Sequence, residues 1–149
     1  LGRRMQNTEA VIRSVKDGTT LTFRLLDSAR PKDEETSFEV TIEGPDVRAR
    51  MIASTYYAGS PALLFRKIAQ NWKGWEGESK WATLEGEFTM RATADSLGHV
   101  TLEVALRSDT YPPEWKMNGL IHLEAGSLDS IARSVASILP IAENASYEE

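Results

Sequence analysis

Apolar and polar positions alternate through most of the chain, and the alternation marks out its strands. Leu21, Phe23 and Leu25 stand between Thr20, Thr22 and Arg24. A period of two puts one set of side chains on a buried face and the other in water. The preceding run, residues 11–16, is joined to this one by Asp17-Gly18. Between two β-rich runs that dipeptide predicts a two-residue hairpin turn, in which both turn residues take positive φ. Phe38, Val40 and Ile42 alternate with Glu39, Thr41 and Glu43 as a third strand, which Gly44-Pro45 turns. Val47, Ala49, Met51 and Ala53 give a fourth, running towards Tyr56-Tyr57.

The period then changes. Leu64, Ile68 and Trp72 recur at helical spacing with Phe65 and Ala69 beside them, and Ser60-Pro61 supplies a helix start. This phase predicts Trp72 as a core residue, with Gly74 ending the helix. Alternation resumes from Leu84 to Thr93, placing Glu85 and Glu87 on one strand face, and again from Val100 to Arg107. Residues 95–99 join these two runs as a hairpin loop. If Ala94 faces Val100, Met90 meets Val104, Phe88 meets Leu106, Arg91 lies opposite Glu103 and Glu87 opposite Arg107; a two-residue slip loses both charge matches. A further strand spans residues 115–124 after Tyr111-Pro112-Pro113. A second helix follows Gly126, with Leu128, Ile131, Ala132, Val135, Ile138 and Leu139 as its apolar stripe and Pro140 at its end.

The expected order is ββββαβββα: an α+β fold with a mainly antiparallel sheet of about seven strands, one face wet and the other covered by two amphipathic helices. The 149 residues suit a single domain. Within it, residues 1–8 and 143–149 are expected to be loose termini, and the polar, proline-containing residues 27–36 a mobile loop. Met5 is a candidate natural start, which leaves open whether residues 1–4 are native.

Composition narrows the function. The formal net charge of −5 disfavours nucleic acid, whose phosphates repel an acidic chain, and favours a basic protein partner. There is no cysteine, which removes disulfides, thiolate nucleophiles and cysteine-ligated metals and agrees with a reducing cytoplasm. No apolar run is long enough to span a membrane, and no apolar segment follows Arg3-Arg4 as a secretory signal requires. Asn144-Ala145-Ser146 matches a glycosylation sequon and is read as chance.

Candidate chemistry is sparse. His99 and His122 lie in different elements without ligand spacing, so neither a metal nor another cofactor is expected. His99 is expected to stabilise its hairpin loop, and His122 to be a partly exposed structural residue. Glu85 and Glu87 have the form of an acid–base pair, but Arg91 and Arg107 nearby read better as ion-pair partners. No nucleophile elbow, phosphate loop or dinucleotide fingerprint occurs, so no catalytic residue is assigned. Three tryptophans fall within "WKGWEGESKW", residues 72–81. Trp75 is either a lid over the core or an exposed anchor, Trp81 is read as a lid that begins the next strand, and Trp115 as a plug at a sheet edge.

The segments "WKGWEG" from Trp72, "WATLEGEF" from Trp81, "DSLGHVTLEV" from Asp95, "PPEW" from Pro112 and "LEAGSLDSIA" from Leu123 carry a resemblance. Across about residues 72–139 the chain resembles a family of small uncharacterised bacterial single-domain proteins. In size, acidity and make-up it is also similar to toxin-immunity proteins. That resemblance implies a non-enzymatic protein-binding module, with neutralisation of a basic toxin as one form. The interface candidates are Trp75, Glu76, Glu78, Glu85, Glu87 and Glu103. The alternative is a small-molecule-binding domain with an aromatic pocket at Tyr56, Trp75 and Trp81; an unrecognised hydrolase is the third reading. Nothing in the sequence sets the oligomeric state.

Overall fold

A computed structural model describes residues 8–26 and 35–142. The termini and most of the segment 27–36 assigned above to loose or mobile chain, with Met5 and the sequon, lie outside the described residues. The described chain on either side of the undescribed stretch is tied down. Leu25 N–H donates to Thr8 O (2.9 Å), and Thr36 N–H donates to Thr55 Oγ1 (2.9 Å).

The first half is a meander: β1 (Glu9–Arg13), β2 (Thr20–Leu25), β3 (Ser37–Glu43) and β4 (Arg48–Ser54), hydrogen-bonded in that order and antiparallel throughout. Helix α1 (Ala62–Gln70) follows. The second half repeats the course with β5 (Ser79–Ala82), β6 (Phe88–Ala94), β7 (His99–Arg107) and β8 (Lys116–Glu124). A turn of 3₁₀ helix, Ala125–Ser127, leads into α2 (Leu128–Ile138).

The α+β class, the antiparallel pairing and the two helices agree with the sequence reading; the count and arrangement of strands do not. There are eight strands in two four-stranded sheets, in the order ββββαββββα, where about seven in one sheet were expected. Alternation identifies a buried face but not the layer that buries it. Here the inner face of each sheet lies against the other, and Phe23 and Phe38 of the first sheet meet Phe88 of the second at ring-centroid distances of 6.0 and 6.3 Å. Phe65 of α1 closes on Phe23 at 6.2 Å. The extra strand is β5, only four residues long, which carries Trp81 inward.

The helices bind the halves together. They pack on each other, α1 also against β5 and α2 against β1 and β2, so each leans on the half that did not produce it. Ser60 fixes this junction: its buried hydroxyl donates to Leu139 O (2.5 Å) at the end of α2 and accepts Ala62 N–H (3.0 Å) at the start of α1. One apolar cluster runs through both sheets and both helices.

Four local expectations are corrected. The β1–β2 connection is a four-residue turn, 15–18, because Ser14 N–H bonds Thr19 O (2.8 Å); only Gly18 takes positive φ, while Asp17 Oδ1 accepts Thr19 N–H (3.0 Å). Leu84, Glu85 and Glu87 belong to the β5–β6 turn, not to a strand. Thr83 pairs with Phe88 through backbone and hydroxyl, and Gly86 takes φ +80°. Trp72 is 55% exposed, not core. Its helix stops at Gln70, Asn71 caps the last carbonyls, and the helical phase does not extend to residue 72. Trp115 is also exposed, beyond the end of the β7–β8 ladder.

Candidate functional site

The β6–β7 register is the expected one: Ala94 faces Val100, Met90 Val104, Phe88 Leu106 and Arg91 Glu103. Glu103 Oε1 is 3.7 Å from Arg91, and its Oε2 is 3.4 Å from Asn118 Nδ2. Glu78 lies 3.6 Å from Lys80 and 3.7 Å from Arg91. These two interface candidates are therefore already neutralised within the molecule. Glu76 and Glu85 are exposed, and neither has a side-chain ion pair among the described residues. Glu87 is half-buried, and its Oε1 has no hydrogen-bond partner among the described residues. Arg107 backs onto it through its N–H to Glu87 O (3.0 Å) but sends its guanidinium to Glu85 O (2.7 Å), so the expected Glu87–Arg107 ion pair is absent among the described residues.

The three pocket candidates differ in burial and in partners. Trp81 is 6% exposed and stacks edge-on to Phe88 at 5.3 Å, its indole N–H without a protein partner. Trp75 is half-buried against the core and donates its indole N–H to Ala92 O (3.3 Å), which is the lid arrangement. Tyr56 is exposed, edge-on to Tyr57 at 4.7 Å.

The cleft lies elsewhere, in a place the sequence did not indicate. About 440 Å³ opens between β8, the β1–β2 turn and the β3–β4 turn. Its floor is apolar, with Ile42, Met117 and Gly119; Lys16, Asp17, Asp46, Asn118 and His122 bring polar groups to its wall. A cleft of this size falls within the ordinary range of binding sites. Gly119 helps to set its shape, since a Cβ there would meet Ile42 Cδ1 and something would have to shift. A glycine in β8 thus lets the two sheets close at this point.

β8 is the last strand of its sheet, paired to β7 on one side only. In an antiparallel ladder, alternate residues direct both N–H and C=O to the same neighbour. Trp115 O and Ala125 N bond the β7 side, accepting from Ser108 and donating to Gly98. His122 faces the other way: its O accepts Val15 N–H (2.8 Å) and its N–H donates to Ser14 Oγ (2.9 Å). By this parity Asn118 and Leu120 point their main-chain groups away from β7. Both residues line the cleft. Ser14 and Val15, just past the end of β1, cover the edge at His122.

The electrostatics of the wall centre on Asp17. The Thr19 backbone N–H, with further help from the nearby His122, holds its carboxyl below the usual aspartate range. It is therefore ionised at neutral pH. His99, as expected, braces its own loop: Asp95 accepts the N–H groups of Leu97 and His99, and its Oδ2 lies 3.0 Å from His99 Nδ1. No group of three or more histidine and carboxylate residues suited to a metal ion occurs among the described residues. Nor, among them, is any helix long and apolar enough to cross a membrane.

The family of unknown function DUF6228 matches residues 14–142, and the chain belongs to it. No curated protein matches the chain, and no solved structure does.

Proposed function

We propose that this member of a family of unknown function is a non-enzymatic protein-binding module that receives a basic partner at the cleft beside β8. The observation that carries the reading is the cleft itself, where a strand edge unpaired among the described residues meets an apolar floor and the carboxylates of Asp17 and Asp46, which outnumber Lys16 on the same wall. The net charge of −5 adds a long-range field that steers a basic protein. Neutralisation of a basic toxin is one form such binding takes, the domain blocking the partner's working surface. The polar wall also suits a small molecule, which is the second reading.

The test is binding to a partner captured from the native host and purified. Reversal of Asp17 and Asp46 to lysine is expected to slow association several-fold, and added salt to slow the parent protein similarly, because the screening length falls from about 10 Å at 0.1 M to about 3 Å at 1 M. An unchanged rate in the reversed variant overturns the reading. A metabolite that raises the melting temperature only when the cleft is intact, with no protein captured, replaces it with the second.

A further inference from the structure

The cleft offers more than charged side chains. Asn118 and Leu120 turn their backbone N–H and C=O groups towards it, and no bond within the described residues takes them up. The strand at this edge is long, nine residues, whereas the opposite edge of the same sheet is the four-residue β5. Edge strands are commonly covered, bulged or charged to prevent pairing with other chains. Among the described residues the cover along β8 extends only to His122, where Ser14 and Val15 bond it. Beyond that point Leu120 is half exposed, and Asn118 turns its amide to Glu103 on the outer face.

We infer that the occupant of the cleft is an extended segment of the partner protein, added to β8 as a further strand in continuation of the bonds that Ser14 and Val15 make at His122. This rests on the protein-binding reading and specifies its mode. In strand addition the main chain provides the affinity and alternate side chains the specificity. One set of the segment's side chains, apolar, would face Ile42, Met117 and Val47 in the cleft. The Asp17 and Asp46 carboxylates, set against Lys16, the one cation on the same wall among the described residues, leave the cleft negative and select lysine or arginine beside them. An acidic segment would meet the negative field of the whole chain.

The probe is the capped peptide acetyl-Lys-Val-Lys-Val-Lys-Val-amide, titrated into the isotope-labelled whole chain. Two further forms carry N-methyl groups on all lysines or on all valines. Because a strand uses the N–H groups of alternate residues only, one form should weaken binding by at least about tenfold and the other by less than about threefold. The amide resonances of Asn118 and Leu120 should shift and slow their exchange with solvent. The methyl groups sit on the peptide, so the result does not depend on a variant folding. Equal weakening by both forms, unmoved Asn118 and Leu120 amides, or no binding of the unmethylated peptide overturns strand addition. If any of these occurs while the Asp17 and Asp46 reversal still slows the natural partner, the cleft remains the binding site and only the mode is wrong. If the reversal leaves the natural partner unaffected, the protein-binding reading at this cleft falls as well.

Discussion

Glu39 shows how single charges are used on the outer faces of the sheets. It lies between Arg24 (3.0 Å) and Arg50 (2.5 Å), with its side chain only 12% exposed. The hydrogen bond from Arg24 is the largest influence on its carboxyl and, against the opposing cost of burial, holds it below the usual glutamate range. A depressed folded-state pKa gives stability that is present above the unfolded value of about 4.3 and is lost as pH falls through the folded one. Glu39→Gln is therefore expected to cost about 1 kcal/mol at pH 7 and to lose that deficit in acid. Urea unfolding of both proteins at neutral and acid pH checks this; a deficit that persists in acid would assign the loss to packing. The tryptophans separate just as clearly. Trp81→Ala should cost about 3–5 kcal/mol, since it empties a core site against Phe88. Trp72→Ala should change stability by about 0.5 kcal/mol or less, because the ring stands in water beside Lys73. The same melts rank the two, and a reversed order would contradict the assigned end of α1.

At the level of elements, the legible parts were those set by local rules. The β6–β7 register followed from the charge matches, because a two-residue slip keeps the apolar face but takes Arg91 away from Glu103. The stripe of α2 was readable because its apolar spacing extends over three turns. Strand β5 was not, because four residues between glycines hold too little alternation to separate from a loop. The β1–β2 turn misled for a related reason: Asp-Gly fits a two-residue turn, but Asp17 instead uses its carboxylate to hold Thr19 N–H, and the loop widens to four residues. That widening carries Asp17 to the cleft wall, so the error in the turn and the failure to foresee the cleft have one cause. Gly119 was equally silent, since its role depends on Ile42 in the other sheet. Gly119→Ala should destabilise by about 1–3 kcal/mol, and clearly less in an Ile42→Val background that lacks the obstructing Cδ1. A double-mutant cycle measures the coupling, and simple additivity would mean that the sheets do not close on Gly119.

Across the whole molecule, two halves of identical course are joined by exchanged helices, yet their edges differ. The sheets are bridged at one seam by Ser14 and Val15 against His122, and just past that bridge no described residue pairs with β8 over the cleft. No part of this was readable from alternation, which reports the faces of strands and not their edges. The interface residues selected from sequence were Trp75 and five glutamates of loops and strand faces, of which Glu78 and Glu103 are already paired, whereas the open cleft is bordered by backbone. The most direct measurement is amide hydrogen exchange along β8 in the free protein. With an open edge, Asn118 and Leu120 exchange rapidly, while Met117, Gly119 and Ile121, bonded to β7, are protected, and His122 is protected by Ser14. Uniform protection of residues 117–122 would mean that the edge is already covered, and the cleft could not receive a strand.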